Sequence, residues 1–379
     1  MMPCLNEAET LQSCIRQAKS FLSSNSIHGE VIVADNGSTD GSQEIAVREG
    51  ARLVTAKRRG YGSALTEGFN SARGQYIAMG DADESYDFGT LLPFIEHLRA
   101  GDELVIGNRF AGGIESGAMP LHHKYFGNPL LSFIGRLFFG TPVRDFHCGL
   151  RAFNRTAILG LNLRTTGMEF ASEMIVKASL SKLRISEVPT PLRRDGRSRA
   201  PHLRSFVDGW RHLRFLLLYS PRWLFLYPGK VLATVGLFSC ARLLVGPIQI
   251  GSVNFDVASL LFLSALTIVG TQFISIAILS NEFALRVGLL PTNSENSTRY
   301  RKIKLEIGIF IGFAMIFIGL IASFLALNYW KTRNFGDLNT ATVIRVSMPG
   351  FLLIVTGLQI MVSTFFLEMI RIDTRPQNS

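Results

Sequence analysis

Short apolar runs alternate with amphipathic stretches over the first 200 residues, and long apolar runs take over after them. The runs at 30–35 (EVIVAD), 51–56 (ARLVTA), 75–80 (QYIAMG) and 103–107 (ELVIG) read as buried strands. Between them, 8–22, 40–49, 61–73 and 88–99 carry apolar residues at helical spacing. Strand–helix alternation of this kind predicts an α/β domain with a mainly parallel sheet and helices on both faces. Ligands bind such sheets at the carboxyl ends of the strands, so the polar residues just beyond each strand are the site candidates.

Further along, 257–280, 307–327 and 346–367 carry no charge and are long enough to cross a bilayer, which takes about 20 apolar residues. A fourth stretch, 224–245, contains Lys230 and Arg242, each near an end from which a long side chain reaches the interface. The expectation is an all-α membrane domain of four spans. Directly before it, 202–219 (HLRSFVDGWRHLRFLLLY) places Leu203, Phe206, Val207, Trp210, Leu213 and Leu217 on one stripe, with Arg204, Arg211 and Arg214 off it. This reads as an amphipathic helix lying in the membrane interface, with an ordinary core-facing helix as the alternative. The chain therefore divides into a domain over 1–200, a juxtamembrane segment over 201–223 and a membrane domain over 224–379.

Composition agrees with that division. Of the 379 residues 47% are hydrophobic and 18% charged, below the roughly 25% charge of average soluble domains. The formal charge of +10 admits nucleic acid or an anionic membrane surface as partner. Eight arginines lie between Arg193 and Arg222, just before the first span, with no nucleic-acid-binding motif beside them. A lipid bilayer is the expected partner, and nucleic acid is not. Loop 281–304 holds Arg286, Arg299, Arg301, Lys302 and Lys304, whereas 246–256 has no Lys or Arg. Basic loops stay inside, so four spans put this loop, the arginine collar, the first domain and the tail with Arg371 and Arg375 in the cytoplasm. Lys331 and Arg333 fall outside in this topology and fit it less well. Cys4, Cys14, Cys148 and Cys240 show neither CxxC nor Cys/His ligand spacing, which argues against a disulfide scaffold and a structural zinc site.

The strand ends are acidic and glycine-rich. One carries Asp35-Asn36-Gly37-Ser38-Thr39-Asp40-Gly41, another Gly80-Asp81-Ala82-Asp83-Glu84-Ser85. Carboxylates spaced i, i+2 on a turn can face one ion, and oxygen-only ligands suit Mg²⁺ or Mn²⁺ bridging to phosphate. Gly60-Tyr61-Gly62 opens a helix whose backbone N–H groups can meet phosphate, without completing a dinucleotide or Walker fingerprint. Other polar groups read as structural: His122-His123 as a poor metal site, His147 as packing beside Cys148, and Glu169 and Glu173, one helical turn apart, as a solvated face.

PCLNE (3–7), VADNGSTDG (33–41), GYGSAL (60–65), GDADESYD (80–87), IGNRF (106–110), RDFHCGLRAF (144–153) and DGRSR (195–199) occur in this order. On these motifs the chain resembles family 2 glycosyltransferases of the GT-A fold, and among them the dolichol- and polyprenyl-phosphate sugar synthases. The resemblance covers about 1–200 and the amphipathic helix. It implies inverting transfer of a sugar from a UDP- or GDP-sugar to a polyprenyl phosphate. It assigns Asp81 and Asp83 to the metal; Asp83, Arg109 and Asp145 to catalysis; and Pro3, Leu5, Glu7, Ala34, Asp35, Asn36, Gly60, Asp81, Ala82, Arg194 and Arg199 to the nucleotide-sugar. Asp35 would accept from a base N–H. Arg144, Arg151 and the 193–204 cluster would position the acceptor. Many relatives carry a second Asp at the position of Asn36, so the preferred nucleotide stays open, as do the sugar and assembly into a homo-oligomer.

The first strand expected of such a domain is an apolar run leading into the PxxNE turn. Only Met1-Met2 precede Pro3, so that strand reads as essentially absent, and an upstream start restoring about five to ten apolar residues is the expectation. Two other readings stand beside the main one. A processive polysaccharide synthase would carry QxxRW, and Tyr219-Ser220-Pro221-Arg222-Trp223 has the RW without the Gln. A membrane scaffold that has lost activity would not need its DAD turn.

Overall fold

The computed structural model describes residues 1–198, 205–290, 304–332, 334, 336 and 339–372. The chain forms two units, Met1–Leu216 and Leu217–Ser379.

Seven strands organise the first unit: β1 (Met2–Cys4), β2 (Ile32–Asp35), β3 (Arg52–Thr55), β4 (Tyr76–Met79), β5 (Leu104–Asn108), β6 (Arg151–Asn154) and β7 (Ile185–Pro189). β1, β2 and β3 pair in parallel, as do β5 and β7, while β6 runs antiparallel between β4 and β5. The first strand, expected to be essentially absent, is thus three residues long, with Met2 opposite Val33 and Cys4 opposite Asp35. Met1 extends it. Its nitrogen donates to the Ala78 carbonyl at 2.7 Å and its carbonyl accepts from Gly80 N–H at 3.3 Å. These bonds join the two groups of strands in the order β3-β2-β1-β4-β6-β5-β7.

Helices pack their apolar faces against the sheet and one another. Leu11–Ser24 buries Leu11, Cys14, Ile15 and Phe21, and Tyr61–Ser71 buries Ala64, Leu65 and Phe69. Phe69 meets Phe153 edge-on at 4.7 Å, an arrangement that adds to simple area burial. Glu173 is fully buried, which corrects its reading as part of a solvated face. It pairs with Lys177 at 2.8 Å and accepts from the N–H groups of Arg164 and Thr165. That holds the loop before it, whose Thr166 carbonyl accepts from Gly62 N–H at 2.9 Å.

The second unit holds four helices long and apolar enough to cross a membrane, Arg222–Val245, Val257–Arg286, Leu305–Lys331 and Ala341–Arg371. An antiparallel hairpin, β8 (Ile248–Ile250) with β9 (Val253–Phe255), joins the first two. Small residues let the helices approach closely. A Cβ on Gly312 would lie 2.8 Å from the Gly357 carbonyl oxygen, and one on Gly357 the same distance from that of Gly312. Gly319 and Gly350 repeat the reciprocal contact between the same two helices, and Gly229 and Gly270 repeat it between the first pair. Gly312→Leu is expected to destabilise the membrane unit by about 1–3 kcal/mol, the usual cost of overpacking. A lowered melting transition of the full-length protein in detergent checks this; an unchanged one contradicts it.

Candidate active site

A cavity of about 1340 Å³ opens at the carboxyl ends of the central strands. Nine of the residues assigned to the metal, catalysis or the nucleotide-sugar line it: Pro3, Leu5, Glu7, Asn36, Gly60, Asp81, Ala82, Asp83 and Arg109.

Local structure explains their positions. The PCLNE turn is pinned by side chains of the next loop. Asn6, at φ +59°, accepts from Thr39 N–H at 2.7 Å, and Glu7 N–H donates to Ser42 Oγ at 2.9 Å. Asn36 accepts from Gly60 N–H at 3.2 Å, linking the β2 loop to the glycine turn. Gly60 sits at φ +134°, and a Cβ there would be 2.2 Å from the Thr166 carbonyl oxygen, so only glycine fits. The acid turn after β4 carries Glu84 in the left-handed region at φ +63°, rare for a residue with a side chain. A Cβ at Gly149 would lie 2.2 Å from Asp81 Oδ2, so the glycine of RDFHCGLRAF makes room for that carboxylate.

Asp81 accepts from the Tyr61 hydroxyl at 3.2 Å. Burial, and after it the charge of Asp83, push the Asp81 carboxyl up to about 7. Asp83 is buried; its Oδ1 accepts from Ser85 N–H at 3.1 Å and Ser85 Oγ–H at 2.5 Å. Its Oδ2 accepts from Arg197 at 2.9 Å. Among the described residues no group of three or more His, Cys, Asp or Glu side chains is arranged to hold a metal ion alone. Two hard carboxylates fit Mg²⁺ or Mn²⁺ when a substrate's phosphate oxygens complete the coordination. A dication would also offset the burial and the Asp83 charge that together raise Asp81.

Several expected residues take other roles. Asp35 is fully buried, and its carboxylate is taken up by Gly37 N–H, Ser38 N–H and Gln43 Nε2. It builds its turn instead of reading a base, and it does not line the cavity. Ala34, buried within β2, does not line it either. Asp145 is fully buried and bound by both arms of Arg109, at 2.7 and 2.8 Å, as well as by Arg109 N–H. That geometry orients Arg109 and leaves no oxygen aimed at a substrate. Arg151 is also fully buried and spends its guanidinium on the carbonyls of Cys148, Phe146 and Ala171, while still forming part of the cavity lining. Arg194 turns to the Ser116 carbonyl. Arg199 and Arg204 lie outside the described residues, as do Arg299, Arg301, Lys302, Arg333 and Arg375.

The sequence reading missed two features. Arg197, between Arg194 and Arg199 in the same run, is the one whose side chain reaches Asp83 among the described residues. The other is a second amphipathic segment, where Leu121, Tyr125, Phe126, Phe133 and Leu137 stand exposed on residues 121–139; their helical spacing in LHHKYFGNPLLSFIGRLFF was the available signal. The helix Ser205–Leu218 is likewise turned outward. In its first half Phe206 is 88% and Trp210 57% exposed, whereas Asp208 and His212 are buried, the reverse of a core-facing helix; further along, Phe215 and Leu216 are buried. Both segments contribute residues to the cavity, among them Leu121, Asn128, Val207 and His212.

His212 and His147 meet edge-on at 4.5 Å. His212 shares a hydrogen bond with Ser172 at 2.9 Å, while neither ring nitrogen of His147 has a hydrogen-bond partner. Burial pushes His212 down to about 4, with Asp208 opposing and Arg151 reinforcing. Burial, then His212, Arg109, Arg151 and His123, holds His147 well below its usual value. Between about pH 6.5 and 4 the unfolded chain therefore takes up a proton that folded His212 refuses, so its contribution to stability falls as pH drops through that window. Asp81 acts with the opposite sign, so the comparison must be with a variant. His212→Gln is expected to remove roughly 2–3 kcal/mol of the loss between pH 7.5 and 4.5. Parallel pH profiles of melting for the two proteins would contradict this.

The model of the glycosyl transferase family 2 matches residues 1–160, and that of the glycosyltransferase family 2 C-terminal transmembrane region matches 278–371. The chain is 37% identical over 373 residues to the low-salt glycan biosynthesis hexosyltransferase Agl6 of Haloferax volcanii, covering 97% of this chain and 87% of that one. It is 28% identical over 165 residues to a dolichyl-phosphate hexose transferase of the same organism, covering 43% of this chain and 70% of that one. Among solved structures, glucosyl-3-phosphoglycerate synthase from Mycobacterium tuberculosis, in complex with Mn²⁺, UDP-glucose and phosphoglyceric acid, aligns with a TM-score of 0.46 at 24% identity. That alignment covers 57% of this chain and 77% of that one.

Proposed function

Since this chain belongs to glycosyltransferase family 2 and is an integral, multi-pass membrane protein, we propose that it transfers a hexose from a UDP- or GDP-sugar to a polyprenyl phosphate at the cytoplasmic membrane face. The observation that carries this reading is the composition of one cavity. It is bounded by the acid turn Asp81–Asp83 and the PCLNE turn, and also by two segments that expose aromatic and aliphatic side chains. A soluble acceptor needs no such surface, whereas a lipid acceptor brings its phosphate to the protein from an apolar phase.

Breaking the anomeric C–O bond leaves a nucleoside diphosphate, whose growing charge must be stabilised. A Mg²⁺ or Mn²⁺ ion held by Asp81 and Asp83 supplies Lewis-acid stabilisation of that leaving group. Arg109, fixed by Asp145, adds a permanent positive charge at the cavity wall. The acceptor phosphate is already an anion, so the protein's task is to position and desolvate it. Asp145, with its oxygens on Arg109, serves that positioning and not proton abstraction. Attack opposite the leaving group inverts the anomeric configuration.

The test is to incubate membranes carrying the protein with a panel of UDP- and GDP-sugars and a polyprenyl phosphate, then identify the lipid product by mass. One hexosyl unit on the lipid phosphate is expected. A polymeric product, or transfer to a soluble acceptor alone, would refute the reading.

A further inference from the structure

Arg197 places its guanidinium among three carboxylates. One arm lies 3.2 Å from Glu7 Oε1; the other is 2.9 Å from Asp83 Oδ2 and 3.0 Å from Asp195 Oδ2. Its side chain is only 11% exposed. The backbone around it is tied to the same turn. Arg193 N–H donates to the Ser85 carbonyl at 3.0 Å and Gly196 N–H to the Asp83 carbonyl at 2.9 Å. Ser198 N–H reaches Glu9 at 2.7 Å. A Cβ at Gly196 would be 2.3 Å from Glu84 Oε2 and 3.0 Å from Thr10 Cγ2, so the strap 192–198 lies flat against the acid turn.

Asp83 Oδ1 is occupied by Ser85, so the oxygen with which Asp83 would meet a cation is the one that Arg197 holds. Three carboxylates contact this single guanidinium, and a dication offers them twice its charge. We propose, on the reading that Asp81 and Asp83 carry the donor's metal, that Arg197 is a positioning residue competing with that metal for Asp83. It holds Glu7, Asp83 and Asp195 in place and yields to the metal–nucleotide complex, so donor binding loosens the strap from the acid turn. The residue acts through the carboxylates and not on the reacting atoms.

A purely structural arginine and a competing one differ in the sign of one measurement. Mn²⁺ binding to the purified full-length protein in detergent, followed by electron paramagnetic resonance without nucleotide, is expected to be about ten-fold tighter in Arg197→Gln than in wild type. Arg197→Lys, which keeps one charge but loses the two-armed contact, should fall between them. Equal or weaker binding in an Arg197→Gln protein that melts as wild type overturns the proposal. Should that variant fail to fold, Asp195→Asn loosens the guanidinium while leaving Asp81 and Asp83 intact; tighter Mn²⁺ binding supports the competition and weaker binding overturns it. If wild type and every variant fail to hold Mn²⁺ even with UDP or GDP present, the metal reading of the acid pair itself fails.

Discussion

Replacing Asp83 with alanine is expected to lower sugar transfer by at least about 100-fold, a loss of roughly 3 kcal/mol or more in transition-state stabilisation. The side chain is one of the two carboxylates assigned to the metal, and its partner Asp81 sits where burial disfavours ionisation even once the charge of Asp83 is gone. Alone, Asp81 is a poor anchor for a dication. The fold should tolerate the change, because Arg197 keeps Glu7 and Asp195 as partners and the Ser85 turn retains its backbone contact with Arg193. Asp83→Asn, which preserves shape and removes charge, should lose as much. Initial rates with the best donor of the panel, measured beside melting curves, test this. Wild-type turnover in excess EDTA, or in either variant, would refute it.

Asp145→Ala has its largest effect on stability. The carboxylate is fully buried and the Arg109 side chain 9% exposed. Removing one partner of such a pair leaves a charge without water or counter-ion and costs about 3–5 kcal/mol. Against a total of roughly 5–15 kcal/mol, that lowers the melting transition by about 10 °C for a unit of this size. Asp145→Asn, which keeps an oxygen for Arg109, should cost less and reduce transfer because Arg109 is no longer firmly oriented. A melting temperature within 2 °C or so of wild type for the alanine variant, given about 2–4 °C per kcal/mol, would mean that the pair is not what holds this corner of the sheet.

The elements were legible because each follows from local pattern. Residues 30–35 and 75–80 announce strands by their apolar runs, and 307–327 announces a span by its lack of charge. The acid turn was legible for the same reason, since Asp81 and Asp83 follow a strand directly. What stayed hidden depended on which way a side chain turns. Arg194, Arg197 and Arg199 are alternatives in a run of arginines, and among the described residues the strap's pairing with Ser85 and Asp83 selects Arg197 over Arg194. Asp35 looks like a base contact until the three donors around it are counted. Glu173 was given to solvent because a carboxylate one turn from Glu169 usually belongs there; the buried Lys177 and the bare N–H groups of the preceding loop reverse that default. Residues 121–139 carried a visible stripe, but in a soluble unit such a stripe reads as core until its exposure is known.

The reciprocal glycine contacts of the membrane unit bear on where a hydrocarbon chain can travel. Where Gly312 meets Gly357, and Gly319 meets Gly350, peptide backbones touch and leave no furrow wide enough for a methyl branch. The seam between the first two spans is closed in the same way at Gly229 and Gly270. At these points each pair of helices is closed to the bilayer. On the proposed reading, the branched tail of a polyprenyl acceptor would not enter these seams at the glycines and would be left to the outer flanks of the pairs.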